Sequence, residues 1–353
     1  MTRLALVGLD SSHADHYVRL LAVEARWPGV RLTELVDGTP ARRAGLARTA
    51  GLARTAGRPA DRASADGVAA DGMAADEASL TDVAARVDGA IVAHRAGDRH
   101  AAAVRALVAT GDPVLVDKPF ATSSAEAATT LALARERGVR VTTASALRFA
   151  PEVRALRLRG GTASGATDEA PATAVEVSCP ADPDGPHGGL LFLGIHGVEA
   201  ARALVGAPTG TPWGPVVVED PADAGHPDAG TVVAATSLDG VRVRLRFVDP
   251  ARPDAGFAVR VTRGDDVVHR DVALGADYLV PVVEHALRLV MPPDAGPGAA
   301  VGNDAGDDAD PDLPGGEADH RQVVDDLALL ERVTARLRAT GRARAGAPGP
   351  GAG

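Results

Sequence analysis

The chain contains one lysine, Lys118, which stands in the segment VLVDKPF (114–120) directly after a short apolar run. Every other basic residue among the 37 Lys+Arg positions is an arginine, so the sequence uses arginine wherever plain positive charge suffices. Lysine differs because it is a compact ammonium group whose pKa can be tuned by its surroundings. At the carboxyl end of a strand in a parallel sheet, where such sheets bind ligands, Lys118 could polarise a substrate oxygen. A solvated loop lysine is the alternative.

A second candidate for acid–base chemistry is His196, near the middle of the apolar segment HGGLLFLGIHGVEAARALVG (187–206). Glu199 follows it by three residues, a spacing that places both side chains on one face of a predicted helix. The carboxylate could then orient the imidazole. A histidine on an apolar helix is equally compatible with a hydrogen-bonded core residue, so the segment alone leaves both interpretations open.

The N-terminal segment RLALVGLDSSHADH (3–16) begins as a nucleotide-binding turn does, with an apolar strand, a glycine and a helix start. Gly8 would permit the tight turn. Asp10 and His13 occupy positions where the second and third glycines of such a turn usually stand. The Asp10 carboxylate would repel a pyrophosphate unless a cation, a water or a protonated His13 intervenes.

The residues that follow Asp10 offer a different way to hold a phosphate. Backbone amides near Ser11 and Ser12, at the predicted helix N-terminus, could bind the anion. Alternatively, Asp10, Ser11 or Ser12 simply caps the helix. We predict no metal site, because Asp10, His13 and His16 are accompanied by no fourth ligand in the sequence.

Asp37 ends the second predicted strand, VRLTELVDG (30–38), at a distance of 29 residues from Gly8. A carboxylate there can accept a hydrogen bond from a ribose 2′-hydroxyl and repel a 2′-phosphate, which favours NAD over NADP. Arg42 and Arg43 lie close enough in sequence to keep NADP as an alternative. An ordinary turn aspartate in the sequence DGTP is equally compatible with the pattern.

The arrangement of elements predicts two α/β domains. Strands alternate with helices over residues 1–147, which predicts a Rossmann-type parallel sheet with helices on both faces. Residues 148–340 contain successive strands with turn signals between them and three helices, which predicts a largely antiparallel open sheet. We predict a disordered tail at 341–353. The strands are expected at 3–9, 30–38, 88–94, 112–119 and 139–147, then at 172–178, 216–220, 231–238, 241–247, 257–263 and 267–273, and the helices of the second domain at 188–206, 278–290 and 318–340.

Composition limits the possible partners. The formal net charge of −10 disfavours nucleic acid and anionic membranes, both of which attract basic faces. The single cysteine, Cys179, permits no disulfide within the chain, which is typical of the cytoplasm. No segment is long and apolar enough to cross a membrane or to act as a signal peptide. We therefore expect a cytoplasmic protein that binds a small molecule.

Together these segments resemble the Gfo/Idh/MocA oxidoreductase family. The most specific likeness is GAIVAHRAGDRHAAAVRALVATGDPVLVDKPFATSSAEA, in which Asp117 stands for the glutamate of the family's Glu-Lys-Pro motif. ALRFAP (146–151), GGLLFLGIHGVEAARALVG and DYLVPVVEHAL add to it. The resemblance implies a Rossmann domain, a mostly antiparallel second domain, and hydride transfer between NAD(P) and a sugar, polyol or related carbonyl compound. By analogy it also implies a homo-oligomer formed through the open sheet.

The resemblance also implies roles for individual residues. Lys118 resembles the motif lysine, which contacts cofactor and substrate, and His196 resembles the catalytic histidine. Arg148 is placed at the domain junction, where it would reach the cleft. Many members have an aspartate four residues before the histidine, where this chain has Phe192. The cofactor would contact Gly8, Asp10, Ser11, Ser12, His13, Asp37, His94, Lys118 and Pro119, and the substrate would contact Lys118, Arg148, Phe192, His196 and Glu199.

These roles predict an NAD(P)-dependent dehydrogenase in which Lys118 and His196 face each other across a cleft. Hydride would leave a carbinol carbon for the nicotinamide while His196 takes the hydroxyl proton and Lys118 holds the oxygen. Asp10 and Phe192 favour an alternative, a family member without redox activity that binds a metabolite or acts as a regulator. Lyase or hydrolase chemistry on the same scaffold is a third possibility.

Overall fold

The computed structural model describes residues 1–52, 77–158, 172–220, 230–291 and 314–341. The chain divides into two compact units. Unit 1 comprises Met1–Phe120, Thr129–Thr143 and Val283–Glu317, and unit 2 comprises Ala121–Ala128, Ala144–Val282 and Ala318–Gly353. The domain bounds expected from the sequence stay predictions, and the expected disordered tail lies, beyond residue 341, outside the described residues.

Unit 1 is built on a parallel sheet of five strands in the order β2-β1-β3-β4-β5. The residues of β3, β4 and β5 are all buried, and so is the second half of β1, as expected for a sheet covered on both faces. Because β2 lies on one side of β1 and β3 on the other, the chain changes direction at β1. A parallel sheet opens a ligand-binding crevice at the carboxyl ends of such strands. The strands are β1 (Thr2–Val7), β2 (Val30–Val36), β3 (Gly89–Val92), β4 (Val114–Val116) and β5 (Val141–Thr143).

Short helices connect these strands, which confirms the predicted Rossmann-type alternation. The first helix continues into a π-helical turn at Arg19–Val23, and the fourth is preceded by a 3-10 turn at Gly97–Arg99. Ser123 Oγ accepts a hydrogen bond from the backbone of Glu126 at the start of the fifth helix. The helices are α1 (Ser12–Val18), α2 (Pro40–Thr49), α3 (Glu77–Ala84), α4 (His100–Val108) and α5 (Ser124–Glu136).

Unit 2 contains a sheet of six strands in the order β11-β10-β6-β9-β8-β7. Every neighbouring pair is antiparallel except β6 and β9, which are parallel. The predicted second α/β domain with a largely antiparallel sheet is therefore confirmed. The strands are β6 (Ala172–Pro180), β7 (Val217–Glu219), β8 (Thr231–Leu238), β9 (Val241–Val248), β10 (Phe257–Arg263) and β11 (Asp266–Val272).

Four further helices follow β5: α6 (Pro151–Leu156), α7 (Leu190–Val205), α8 (Val280–Val290) and α9 (Glu317–Ala339). Helix α7 packs on β6 and β9 with its backbone close to the sheet. A Cβ atom at Gly197 would lie 2.8 Å from the Cys179 sulfur, so only glycine permits this approach. The close packing fixes His196, the residue before Gly197, against the core of unit 2. No helix within the described ranges is long and apolar enough to cross a membrane.

Candidate functional site

The turn after β1 touches the loop after β3 at the chain reversal in unit 1. Gly8 has a φ of +87°, and a Cβ atom there would lie 2.5 Å from the backbone nitrogen of His94 and 2.6 Å from its ring. Glycine is therefore required both by the backbone conformation and by the close approach of the His94 backbone. The predicted cofactor residues Gly8 and His94 lie together, at the place where an open parallel sheet binds its ligand.

The Asp10 carboxylate is balanced by the loop that follows β3. Its Oδ1 accepts a hydrogen bond from the Arg95 backbone at 3.2 Å, and its Oδ2 lies 3.7 Å from the Arg99 guanidinium. About 39% of the Asp10 side chain remains exposed. The Arg99 guanidinium is thus the cation beside the Asp10 carboxylate. Asp10 lies in the turn between β1 and α1 (8–11), which we call the phosphate turn.

Asp37 is engaged within the protein. Its Oδ2 lies 2.7 Å from His94 Nε2 and accepts a hydrogen bond of 2.7 Å from Arg99, while Oδ1 accepts one from the Gly38 backbone. Burial alone would raise the pKa of Asp37, but the contacts with His94, Gly38 and Arg99 outweigh it and lower the pKa. A ribose hydroxyl would have to share this carboxylate with partners already present.

Arg42, the residue that kept NADP as an alternative, is also committed to partners in unit 1. Its Nε donates to the Leu9 carbonyl at 2.9 Å, and its guanidinium forms an ion pair with Asp15 on α1. Arg43 is exposed. Recognition of a 2′-phosphate by Arg42 would require the Asp15 ion pair to open.

The motif residues after β4 form a buried charged group. Asp117 Oδ2 lies 2.5 Å from His13 Nδ1, and Oδ1 accepts a hydrogen bond from the Lys118 backbone. Burial would raise the pKa of Asp117, but the neighbouring charges, with His13 the strongest, lower it to about 2. His13 therefore takes part in the site through a carboxylate partner that the sequence did not reveal.

Lys118 is buried, with 7% of the residue exposed, and the peptide bond to Pro119 is cis. Burial lowers the pKa of Lys118, an effect that Asp117 opposes and Arg95 reinforces. The Pro119 carbonyl lies 2.7 Å from Nδ1 of the buried His100. Lys118 is thus a buried side chain with a lowered pKa, and the alternative of a solvated loop lysine is wrong.

Two buried polar atoms test whether this turn fits a dinucleotide. Ser11 Oγ and His94 Nδ1 are inaccessible to solvent and have no hydrogen-bond partner among the described residues. Buried polar groups normally have partners, so both atoms fit a polar ligand such as a phosphate or ribose oxygen. Ser12 is exposed beside them. Apart from Asp10, the turn fits the phosphates of a dinucleotide.

In unit 2 the imidazole of His196 is held by a residue that the sequence analysis missed. Its Nδ1 lies 2.6 Å from the hydroxyl of Ser145, and its ring stands edge-on to Phe257 with the centroids 5.6 Å apart. Ser145 follows β5 and is completely buried, and 6% of His196 is exposed. The ring orientation is therefore fixed by the segment between β5 and α6.

Glu199 lies on the same helix but does not contact the imidazole. Its Oε2 accepts a hydrogen bond of 2.9 Å from the Ser145 backbone and lies 3.6 Å from the Arg148 guanidinium. Burial raises the pKa of Glu199 to about 7, although Arg148 and the Ser145 amide oppose the shift. The direct carboxylate–imidazole pair considered from the sequence is absent, and Ser145 contacts both partners instead.

Phe192, one turn before His196, borders a cavity of about 210 Å³ in unit 2. The ring of Phe192 lies 4.9 Å from that of His187. The cavity wall is completed by Asp182, Gly185, Pro186, Gly189, Leu193 and Pro250. An apolar ring thus occupies the position where the resembled family often has an aspartate.

The predicted site residues form two clusters, one in each unit. Unit 1 brings together Gly8, Asp10, Ser11, Ser12, His13, Asp37, His94, Lys118 and Pro119. Unit 2 brings together Arg148, His196 and Glu199 through Ser145, with Phe192 on the same helix. Within the described ranges, no group of three or more His, Cys, Asp or Glu side chains could hold a metal ion.

Comparisons with known proteins agree with the two-domain fold described above. Residues 2–145 match the Gfo/Idh/MocA oxidoreductase family, NAD-binding Rossmann fold. No curated relative matches the sequence. Among solved structures, a putative myo-inositol dehydrogenase from Sinorhizobium meliloti is 14% identical, with a TM-score of 0.62 over 96% of this chain and 98% of that one. An aldose-aldose oxidoreductase from Caulobacter crescentus is 18% identical, with a TM-score of 0.60 over 96% and 98%.

A third structure, GenD2 from gentamicin A biosynthesis in complex with NAD, is 20% identical, with a TM-score of 0.63 over 95% of this chain and 94% of that one. At these identities the structures show a shared fold over nearly the whole chain. The family match covers the first domain, so residues 2–145 form an NAD-binding Rossmann fold of the Gfo/Idh/MocA oxidoreductase family.

Proposed function

We propose that this oxidoreductase uses NAD to interconvert a hydroxyl and a carbonyl group on a sugar, polyol or related compound. The observation that carries the proposal is the buried Lys118 at the carboxyl end of β4, beside the phosphate turn of an NAD-binding domain. Ligands bind at this edge of a parallel sheet. The inositol, aldose and gentamicin-pathway proteins that share the fold support a polyhydroxylated substrate.

The protein must bind the reactants and manage one proton, because bound NAD would supply the hydride acceptor. Ser11 Oγ and His94 Nδ1 are the buried atoms that would hold its polar groups. Lys118 and His196 are both buried basic side chains. Each is a candidate either for taking the hydroxyl proton or for donating a hydrogen bond to the substrate oxygen.

A second candidate function, metabolite binding without redox chemistry, is favoured by two observations. Asp10 keeps a partly exposed carboxylate in the phosphate turn, and Asp37 is already engaged by Arg99 and His94. Both features weaken the usual contacts of a dinucleotide. The two candidates differ in one respect that can be measured, since only the oxidoreductase reduces NAD.

The test is a turnover assay with the full-length protein, NAD and a panel of inositols, aldoses and linear polyols, followed by NADH absorbance. For any active substrate, Lys118→Met and His196→Gln should each lower kcat/KM by at least about 100-fold, the usual contribution of a group that handles the reacting proton. Arg105→Gln, at an exposed position on α4, serves as the matched control. Undiminished turnover in both site variants, or NADH binding without turnover of any compound, would contradict the proposal.

We also propose that the open face of the unit 2 sheet joins copies of this chain. Arg260, Glu176 and Arg244 occupy one cross-strand row, and Arg244 pairs with Glu219 at 3.0 Å. Mixed charges of this kind can meet their opposites on a second copy related by a two-fold axis. Light scattering should give a dimer for the wild type and a smaller mass for Arg244→Glu. An unchanged mass for this variant would contradict the proposal.

The cytoplasm is the proposed location. The only cysteine, Cys179, is buried, and burial raises the pKa of its thiol to about 12. A thiol in this environment is inert, and a chain without disulfides is typical of a reducing compartment. Fractionation of cells producing the native chain would test the assignment, which predicts recovery with cytoplasmic marker proteins.

A further inference from the structure

The hydrogen bonds of Ser145 determine how His196 can act, and they can be followed atom by atom. The Ser145 backbone is fixed at both ends, because its N–H donates to Glu199 and its carbonyl accepts from the Arg148 backbone. Its side chain accepts a hydrogen bond of 3.2 Å from the Leu147 backbone, which caps the 3-10 turn at Ala146–Phe149. The hydroxyl therefore cannot move far from its position beside the imidazole.

The hydroxyl group has one hydrogen to donate and two lone pairs that accept. The Leu147 N–H occupies one lone pair, since an amide can only donate. Among the described residues, the remaining partner of Ser145 Oγ is His196 Nδ1, at 2.6 Å. If Nδ1 carried a proton, it could donate only to the second lone pair of the hydroxyl oxygen. The hydroxyl hydrogen would then point into a fully buried position without an acceptor, which is costly.

We infer that Ser145 is a positioning residue that donates its hydroxyl hydrogen to Nδ1 of His196 and so fixes the neutral imidazole with its proton on Nε2. In this tautomer the Nε2 side of the ring is a hydrogen-bond donor and cannot accept a proton. The Ser145 hydroxyl thus sets the protonation pattern of His196, in place of the Glu199 carboxylate that the helical spacing suggested.

The inference deepens the proposed function, on which its catalytic meaning rests. With the proton on Nε2, neutral His196 donates a hydrogen bond to the substrate oxygen, a role that favours the carbonyl or the developing alkoxide. The hydroxyl proton must then pass to a group other than His196. This assignment differs from the role that the family resemblance implied for His196.

Nuclear magnetic resonance of the full-length protein labelled with 15N-histidine tests the inference without substrate or NAD. Spectra are recorded above pH 8, where an ordinary imidazole is neutral. The signals of His196 are assigned by their loss in His196→Gln. We expect Nε2 in the range of a protonated ring nitrogen and Nδ1 in the range of an unprotonated one. Protonated Nδ1, in the other tautomer or in an imidazolium, would overturn the inference.

Two variants make the role of Ser145 itself testable. Ser145→Ala should replace the single tautomer with a mixture of both, whereas Ser145→Thr, which keeps the hydroxyl, should restore the wild-type pattern. Ser123→Ala is the matched control, because it removes a capping hydroxyl of the same kind at the start of α5. A single, unchanged tautomer in Ser145→Ala would overturn the inference even if the wild type shows the expected one.

The same samples separate this inference from the proposed function. NADH binding is measured on each labelled protein by nucleotide fluorescence. A wild-type protein that binds no NADH but shows the Nε2–H tautomer would contradict the oxidoreductase and leave the role of Ser145 intact. NADH binding with the opposite tautomer would keep the oxidoreductase and restore His196 as the proton acceptor.

Discussion

Two acidic residues in unit 1 show how single side chains acquire properties that their sequence positions do not reveal. Asp117 is buried beside His13, and Asp37 is buried between His94 and Arg99. A buried carboxylate is tolerated only when it is paired and hydrogen-bonded, and both residues satisfy this condition. The partners come from other strands and loops, so neither pairing could be inferred from local spacing.

The lowered pKa of Asp117 has a consequence for stability. Its folded-state pKa of about 2 lies below its ordinary value of 3.8, so ionised Asp117 stabilises the fold above pH 4. The contribution is about 2 kcal/mol from the size of the shift, and it is lost as the pH falls from about 4 to 2. Asp117→Asn should therefore lower the unfolding free energy in urea at pH 7 and reduce its loss between pH 4 and pH 2. If the unfolding free energy of Asp117→Asn falls as steeply between pH 4 and pH 2 as that of the wild type, the lowered pKa of Asp117 is wrong.

Asp10 offers a test of charge in the phosphate turn. Asp10→Asn removes the charge and keeps a side-chain oxygen for the Arg95 backbone. NADH should bind about two- to fivefold more tightly, because a partly exposed charge contributes up to about 1 kcal/mol. The gain should shrink at high salt, where such interactions are screened. Fluorescence titration at two salt concentrations measures both effects, and equal or weaker binding would show that Asp10 does not oppose the pyrophosphate.

At the scale of elements, α7 carries both the proposed chemistry and a strong anchor. Arg202 on α7 donates to Asp326 on α9 at 2.7 and 2.9 Å, and Trp213 Nε1 donates to the same carboxylate at 2.6 Å. These side chains are buried. The three groups satisfy one another, so this end of α7 is held firmly within unit 2.

Removing the carboxylate of Asp326 should lower the unfolding free energy strongly. Asp326→Ala would leave the Arg202 charge buried without its main partner, a change that typically costs 3–5 kcal/mol in unfolding free energy. Asp254→Ala, which removes an exposed ion pair with Arg252, is the matched control and should leave the unfolding free energy nearly unchanged. Urea unfolding of both variants measures the difference, and equal losses would show that Asp326 does not hold this end of α7.

The raised pKa of Glu199, on the same helix, predicts that its contribution to stability falls as the pH rises, whereas that of Asp117 grows. Its folded-state pKa of about 7 lies above its ordinary value of 4.5, so the fold favours the protonated carboxyl. The corresponding stability, about 3 kcal/mol from the size of the shift, is present below pH 4.5 and is lost as the pH rises through 7.

Glu199→Gln cannot ionise but keeps an oxygen for the Ser145 amide. This variant should therefore lose less stability than the wild type between pH 5 and pH 8 in paired urea titrations. If the two proteins lose the same amount, Glu199 is already ionised at pH 5 and the raised pKa is wrong.

For the whole molecule, periodicity and turn residues were sufficient to predict both sheets. Continuous apolar runs predicted β1 and β3, and alternation with Asp239-Gly240 predicted the β8–β9 hairpin. These signals are local, because they arise from how each segment buries its own side chains. The order of the strands depends on long-range pairing, which no single segment contains.

The site was predicted less completely for the same reason. Lys118, His196 and Gly8 stand out by residue type and position, and they lie after β4, on α7 and after β1 as the sequence indicated. Their roles at the site stay predictions. Ser145 lay inside the strand predicted at 139–147, so its capping role gave no separate signal. In the structure β5 already ends at Thr143, and Ser145 caps the 3-10 turn that follows. Its contact with His196 spans 51 residues and could be found only in the folded chain.

A titration of the full-length protein with NADH and NADPH, followed by nucleotide fluorescence, asks directly whether the turn after β1 holds a dinucleotide. We expect saturable NADH binding in the micromolar range, weaker NADPH binding, and weaker NADH binding in Ser11→Ala, which loses the buried hydroxyl offered to the phosphates. No saturation by either nucleotide up to millimolar concentration would contradict the central claim that this turn holds a dinucleotide.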